Sequence, residues 1–97
     1  MSKQRKEEVG ERHLELLMAI DEVARRDPAG VSTSYKAAYK VGLDPVCNKA
    51  DRREFTRMAH DLEEAGYVNV GGITYLGLRA SYALTDEGHR RLLQEES

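Results

Sequence analysis

Four side chains near the middle of the chain have types and a spacing that could recognise a polyanion: Arg53, Thr56, Arg57 and His60. They stand at i, i+3, i+4 and i+7, so on a helix turning about 100° per residue they form one ridge. Arginine forks onto phosphate oxygens or a guanine edge, and threonine and histidine donate or accept hydrogen bonds there. The acids of the same stretch, DRREFTRMAHDLEEAGYV over 51–68, fall elsewhere. Glu54 and Asp61 sit on a flank, and Glu64 comes only at the far end. A helix that is basic in its N-terminal half suits entry into a groove by that end. A charged outer face is also what any surface helix shows to water, so the ridge gains meaning only from the elements around it.

Bond-making constellations do not occur in the sequence. His13, His60 and His89 lie on separate segments, and there is no HxxxH or CxxC spacing, so no metal site is expected. Gly71-Gly72 has no GxxxxGK[ST] context, and no Ser or Cys sits in a nucleophile elbow. The single Cys47 permits no internal disulfide and reads as a small loop residue in a reduced compartment. Neither an enzyme nor a cofactor is expected.

The 97 residues suffice for one domain. With no Trp and one Phe, aliphatic side chains and five Tyr must build the core. So lean a core points to a shared interface, and a homodimer is expected. No apolar run approaches the roughly 20 residues of a membrane span. MSKQRKEEVGERH has no apolar segment of a secretory signal, and a cytoplasmic location is expected. The net charge of −2 weighs against nucleic acid, but the distribution matters more than the total. Residues 33–60 carry Lys36, Lys40, Lys49, Arg52, Arg53 and Arg57 against Asp44, Asp51 and Glu54. Residues 61–97 carry three basic groups against seven acids.

The elements that must position the ridge follow from periodicity. Residues 1–10 read as a flexible arm, in which Lys3, Arg5 and Lys6 are solvated. Leu16, Leu17, Ile20, Val23 and Ala24 mark a first helix over 11–27, with Leu14 and Met18 widening its stripe toward a second partner. Asp27-Pro28-Ala29-Gly30 stops it. Ser32 or Thr33 caps a short second helix over about 33–41, with Gly42 at its C′ position. Residues 44–50 form a loop, and Asp51 caps a third helix over about 52–65. Phe55, Met58, Ala59 and Leu62 give that helix its buried stripe, and Gly66 ends it. The period then changes to 2 for strands over 67–70 and 79–84, broken by Gly71-Gly72 and joined across GGITYLGL. Thr85 caps a last helix that carries Leu92 and Leu93.

This order of elements, with the motifs LEEAGYV over 62–68 and YALTDEG over 82–88, resembles the winged helix-turn-helix family of DNA-binding proteins, in particular MarR- and PadR-type regulators. The resemblance spans residues 11 to about 95. It implies an α+β, mainly α domain over 11–97: three helices, a two-stranded hairpin wing and a C-terminal helix. It further implies a small transcriptional regulator that binds double-stranded DNA with the third helix in the major groove. The contacts would come from Arg52, Arg53, Thr56, Arg57, His60, Lys36, Lys40, Lys49 and Arg79. A homodimer would form through Leu14, Met18, Leu92 and Leu93. Two features depart from the family: the turn from Gly42 to Asp51 is long, and the wing lacks acidic and basic tip residues apart from nearby Arg79. Ile73, Tyr75, Leu76 and Leu78 make that wing apolar, which supports an alternative role as a winged-helix module that binds protein in a larger complex.

Overall fold

The apolar spacing of the first segment folds as a helix. α1 (Glu11–Arg26) buries Leu14, Leu16, Leu17, Ala19 and Ile20 along one side. At its start the Gly10 N–H donates to His13 Nδ1 at 3.2 Å, which occupies one of the amides left over at a helix N-terminus. At its end the Asp27 carboxylate accepts from the Ala29 and Val31 amides at 2.9 and 3.4 Å and turns the chain. In the computed structural model, residues 10–96 are described. The expected arm, with Lys3, Arg5 and Lys6, lies outside the described residues except for Gly10.

After the turn, Ser32–Thr33 forms a two-residue strand, β1, and α2 follows over Ser34–Lys40. Thr33 caps α2, its hydroxyl accepting from the Lys36 amide at 3.2 Å. Gly42, at φ 82°, closes the helix in a left-handed turn. There the Leu43 N–H donates to Ala38 O at 2.9 Å and the Gly42 N–H to Tyr39 O at 3.1 Å. Leu43 is thereby delivered into the core.

α3 spans Lys49–Glu64 and so begins three residues before the sequence reading placed it. Asn48, not Asp51, is the cap, its side chain accepting from the Asp51 amide at 3.0 Å. The Asp51 carboxylate accepts instead from the Asp44 amide at 3.0 Å. Asp44 in turn accepts from Val46 and Cys47, both at 3.1 Å. These bonds, with Pro45 fully buried, tie the linker between α2 and α3 into a turn. Phe55, Met58, Ala59 and Leu62 are buried on one side of α3, as their spacing requires.

The sheet has three antiparallel strands in the order β1-β3-β2, where two were expected. β2 is Val68–Ile73 and β3 is Arg79–Leu84. β2 pairs with β3 from Val68↔Leu84 to Ile73↔Arg79, and β1 adds Ser32↔Tyr82 and Thr33↔Ser81 on the other edge. Gly71-Gly72 does not break β2. A Cβ on Gly72 would lie 2.9 Å from Ala80 Cβ, and its φ of 66° is one that L residues rarely adopt. Glycine there permits close approach of β3. The connecting turn closes with Thr74 N–H to Leu78 O at 2.7 Å and Gly77 N–H to Thr74 O at 3.0 Å.

α4 (Asp86–Glu96) is seated by Thr85. The Thr85 hydroxyl donates to Gly66 O at 2.6 Å and accepts from the Gly88 amide at 3.0 Å, while its N–H reaches Tyr67 O at 3.0 Å. The start of α4 is thus pressed against the end of α3. A Cβ on Gly88 would overlap the Tyr67 carbonyl and come within 3.3 Å of Leu84 Cγ. The core lies between α1, α3 and the sheet: Leu16, Leu17, Ile20, Phe55, Met58, Leu62 and Tyr82 are all essentially inaccessible. Phe55 and Tyr82 meet edge to face, with ring centroids 5.9 Å apart.

Two outcomes are expected. Gly88→Ala would ordinarily favour a helix, but here the overlap reverses the sign, and denaturant unfolding should show a loss of about 1–3 kcal/mol. Burial holds the Tyr82 phenol neutral, pushed up to about 12. Its folded value is above its unfolded value near 10, so its contribution is complete below pH 10 and lost as pH rises through 12. Tyr82→Phe should therefore lose less stability than wild type between pH 9 and 12, by up to about 3 kcal/mol in paired unfolding curves.

Candidate nucleic-acid interface

The rotation of α3 about its own axis sets what it shows to solvent. Its apolar stripe belongs to the same core cluster as Leu16, Leu17 and Ile20 of α1. Two polar contacts to α1 flank that seam. His13 Nε2 lies 2.9 Å from Asp61 Oδ2. The Gly10 amide occupies the other ring nitrogen, so Nε2 carries the hydrogen and donates. Arg12 reaches Glu54 at 3.4 Å, while also contacting Glu15 at 3.1 Å and Val41 O at 3.4 Å. The two flank acids of α3 are therefore turned toward α1 and matched there.

The ridge faces outward. Arg53, Thr56, Arg57 and His60 are all exposed. Among the described residues neither Arg53 nor Arg57 has an acidic partner, whereas His60 Nε2 stands 3.6 Å from Glu64. Arg52 departs from the expected set of open contacts. It is half-buried, and its Nε is buried with no hydrogen-bond partner among the described residues. Beside the ridge runs a cleft of about 490 Å³, lined by Arg52, Arg53, Thr56, Arg57 and His60 on the helix and by Leu76, Gly77 and Leu78 on the hairpin.

The remaining sequence-predicted contacts are distributed around this face. Lys49 is exposed in the first turn of α3. Arg79 is exposed at the start of β3 and borders a smaller hollow with Thr56, His60 and Glu63. Its carbonyl accepts from Ser34 Oγ at 2.6 Å, which fixes the N-terminal end of α2 to the sheet. Lys36 is exposed on α2. Lys40 is engaged by Glu22 at 3.4 Å. Both lysines border a second hollow of about 430 Å³, together with Arg26, Val23, Pro28 and Tyr39. The Tyr39 hydroxyl is held above its ordinary range by desolvation and then by Asp44, Cys47, Tyr35 and Tyr75.

The apolar residues of the hairpin divide. Leu78 is buried and Leu76 packs against the core, whereas Ile73 and Tyr75 are 67% and 86% exposed. The four residues expected at a dimer interface divide as well. Leu14 and Leu92 are members of the chain's own core, and Met18 and Leu93 are exposed. Among the described residues no helix is long and apolar enough to cross a membrane, and no three His, Cys, Asp or Glu converge as metal ligands.

The sequence reading missed Arg12 and His13, the partners of the α3 acids, and Arg26 beside Lys36 and Lys40. Arg12 is 42 positions from Glu54 and His13 is 48 from Asp61, so no local spacing connects them. No protein-family model matches the chain, and neither a curated protein nor a solved structure matches it either.

Proposed function

We propose that the chain is a winged helix-turn-helix protein that binds double-stranded DNA as a small transcriptional regulator. The observation that carries this reading is the outer face of α3. Arg53 and Arg57 stand exposed without acidic partners among the described residues, because Glu54 and Asp61 are matched from α1. Two uncompensated guanidinium groups one turn apart, with Thr56 between them, suit phosphate oxygens and base edges in a major groove. Lys36, Lys49 and Arg79 then meet the flanking phosphates, with Lys40 available once it leaves Glu22. The order of elements supports the reading: α2, then α3 across the tied linker, then a hairpin, then α4.

A homodimer would read two half-sites about one helical turn apart. Its contacts would use the outer sides of α1 and α4, where Met18 and Leu93 are 51% and 61% exposed. Leu14 and Leu92, being core residues, would support that surface from within. The alternative is a winged-helix module that binds protein in a larger complex. The exposed Ile73 and Tyr75 favour it.

Fluorescence anisotropy with random-sequence duplex DNA tests the proposal. Wild type should bind at low salt, and log affinity should fall linearly with log salt. Arg53→Ala/Arg57→Ala should weaken binding by at least about tenfold. It should also flatten the salt slope by roughly 1–2, according to how many of the two arginines sit on phosphates. Both side chains are exposed, so the thermal midpoint should not move. Absence of duplex binding at low salt would overturn the DNA reading and leave the protein-binding one.

A further inference from the structure

The strand order β1-β3-β2 leaves β2 hydrogen-bonded to a neighbour on one side only. In an antiparallel ladder the N–H and C=O groups of a strand face its two sides in alternation, so half of those of β2 face away from β3. Such an edge is a template for another strand, and edges that stay single are commonly guarded by charge or proline. This one has neither: no Asp, Glu, Lys, Arg or Pro occurs from Gly66 to Leu78.

The side chains along the edge limit what can pair there. Its regular part is short, because Gly72, at φ 66°, turns the chain and leaves Val68–Gly71. Val68 is buried and Val70 packs against the core, so the strand is held from beneath, whereas Asn69 is exposed. Beyond one end of this stretch Ile73 and Tyr75 are 67% and 86% exposed, more than any other large hydrophobic side chain among the described residues. At the other end Tyr67 is half-buried. An occupant must therefore supply a main-chain ladder, an uncharged polar partner for Asn69, and apolar cover for Ile73 and Tyr75. Nucleic acid supplies no such ladder, and this edge has no cation for a phosphate.

The same edge of a second copy meets all three needs. Run antiparallel across a two-fold axis, the two strands bring Asn69 beside Asn69. A side-chain amide both donates and accepts, so it pairs with its own kind. The reversal also lays the Ile73 end of each strand beside the Tyr67 end of the other, an aliphatic–aromatic cross-strand contact. No like charges meet, and a two-fold contact of this kind closes on itself. We infer that β2 pairs with β2 of a second copy, antiparallel about Asn69, so that two three-stranded sheets become one of six strands. The pairing depends neither on DNA nor on a contact through α1 and α4.

The test is sedimentation velocity over a concentration series, without DNA, on wild type, Asn69→Lys, Asn69→Asp and an equimolar mixture of the two variants. Wild type should associate as concentration rises. Each variant sets like charges together and should weaken that association at least about fivefold, whereas the mixture sets opposite charges together and should recover it. Amide hydrogen exchange gives a second readout. In wild type the amides of Val68–Gly71 that face away from β3 should exchange more slowly as concentration rises. Asn69 is exposed, so thermal midpoints taken below the association range should match and exclude misfolding of the variants. Association unchanged in both variants would overturn the pairing and place the contact between copies elsewhere. Variants that weaken association but do not recover it on mixing would overturn it as well, since their charges then do not face each other. So would a wild type that never associates and whose edge amides exchange equally fast at every concentration.

Discussion

The seam between α1 and α3 governs the rest of the molecule. Once Phe55, Met58, Ala59 and Leu62 enter the core, the helix period leaves no freedom in where the other residues of α3 point. Glu54 and Asp61 are carried to the sides of that seam, where Arg12 and His13 receive them. Arg53, Thr56, Arg57 and His60 are carried to solvent. A single packing decision thus sorts the charges of one helix into a matched set and an open set. The Arg12–Glu54 pair is exposed and contributes little to stability. Its consequence is electrostatic: it lowers the negative charge beside the ridge.

The sheet serves the same end from the other side. β3 is paired on both edges, so its starting residue Arg79 and the hairpin before it are held in a fixed place relative to α3. Ser34 bonds the start of α2 to that same residue, and Thr85 bonds the end of α3 to the start of α4. Two short polar links, each 2.6 Å, therefore join elements whose apolar faces are few and small. In a core whose aromatic rings include one Phe and no Trp, such links help to set the angles between elements that bulk packing alone leaves loose.

The outer surface is divided by chemistry. The ridge carries cations, the hairpin tip carries Tyr75 and Ile73, and the exposed sides of α1 and α4 carry Met18 and Leu93. Each of these is the residue of a side chain set left over after the core is filled. Leu14 and Leu92 show the converse: both looked available for an interface by spacing, and both are consumed inside. Spacing places a residue on a helical face, but whether that face is covered depends on which element folds over it.

The sequence determined the local structure wherever a signal ran over several residues. The i, i+3, i+4, i+7 stripes placed α1 and α3, and Gly42 marked the left-handed turn after α2. The ridge itself was legible, because residues that share a helical face are fixed by the period once the helix exists. The tertiary structure alone decided three things. It added β1, whose two residues carry no period and become a strand only by pairing with β3. It chose Asn48 over Asp51 as the cap, because the Asp51 carboxylate was drawn to the Asp44 amide. It also matched the α3 acids from α1 across more than forty positions of chain, a pairing that exists only after the core has brought the two helices together.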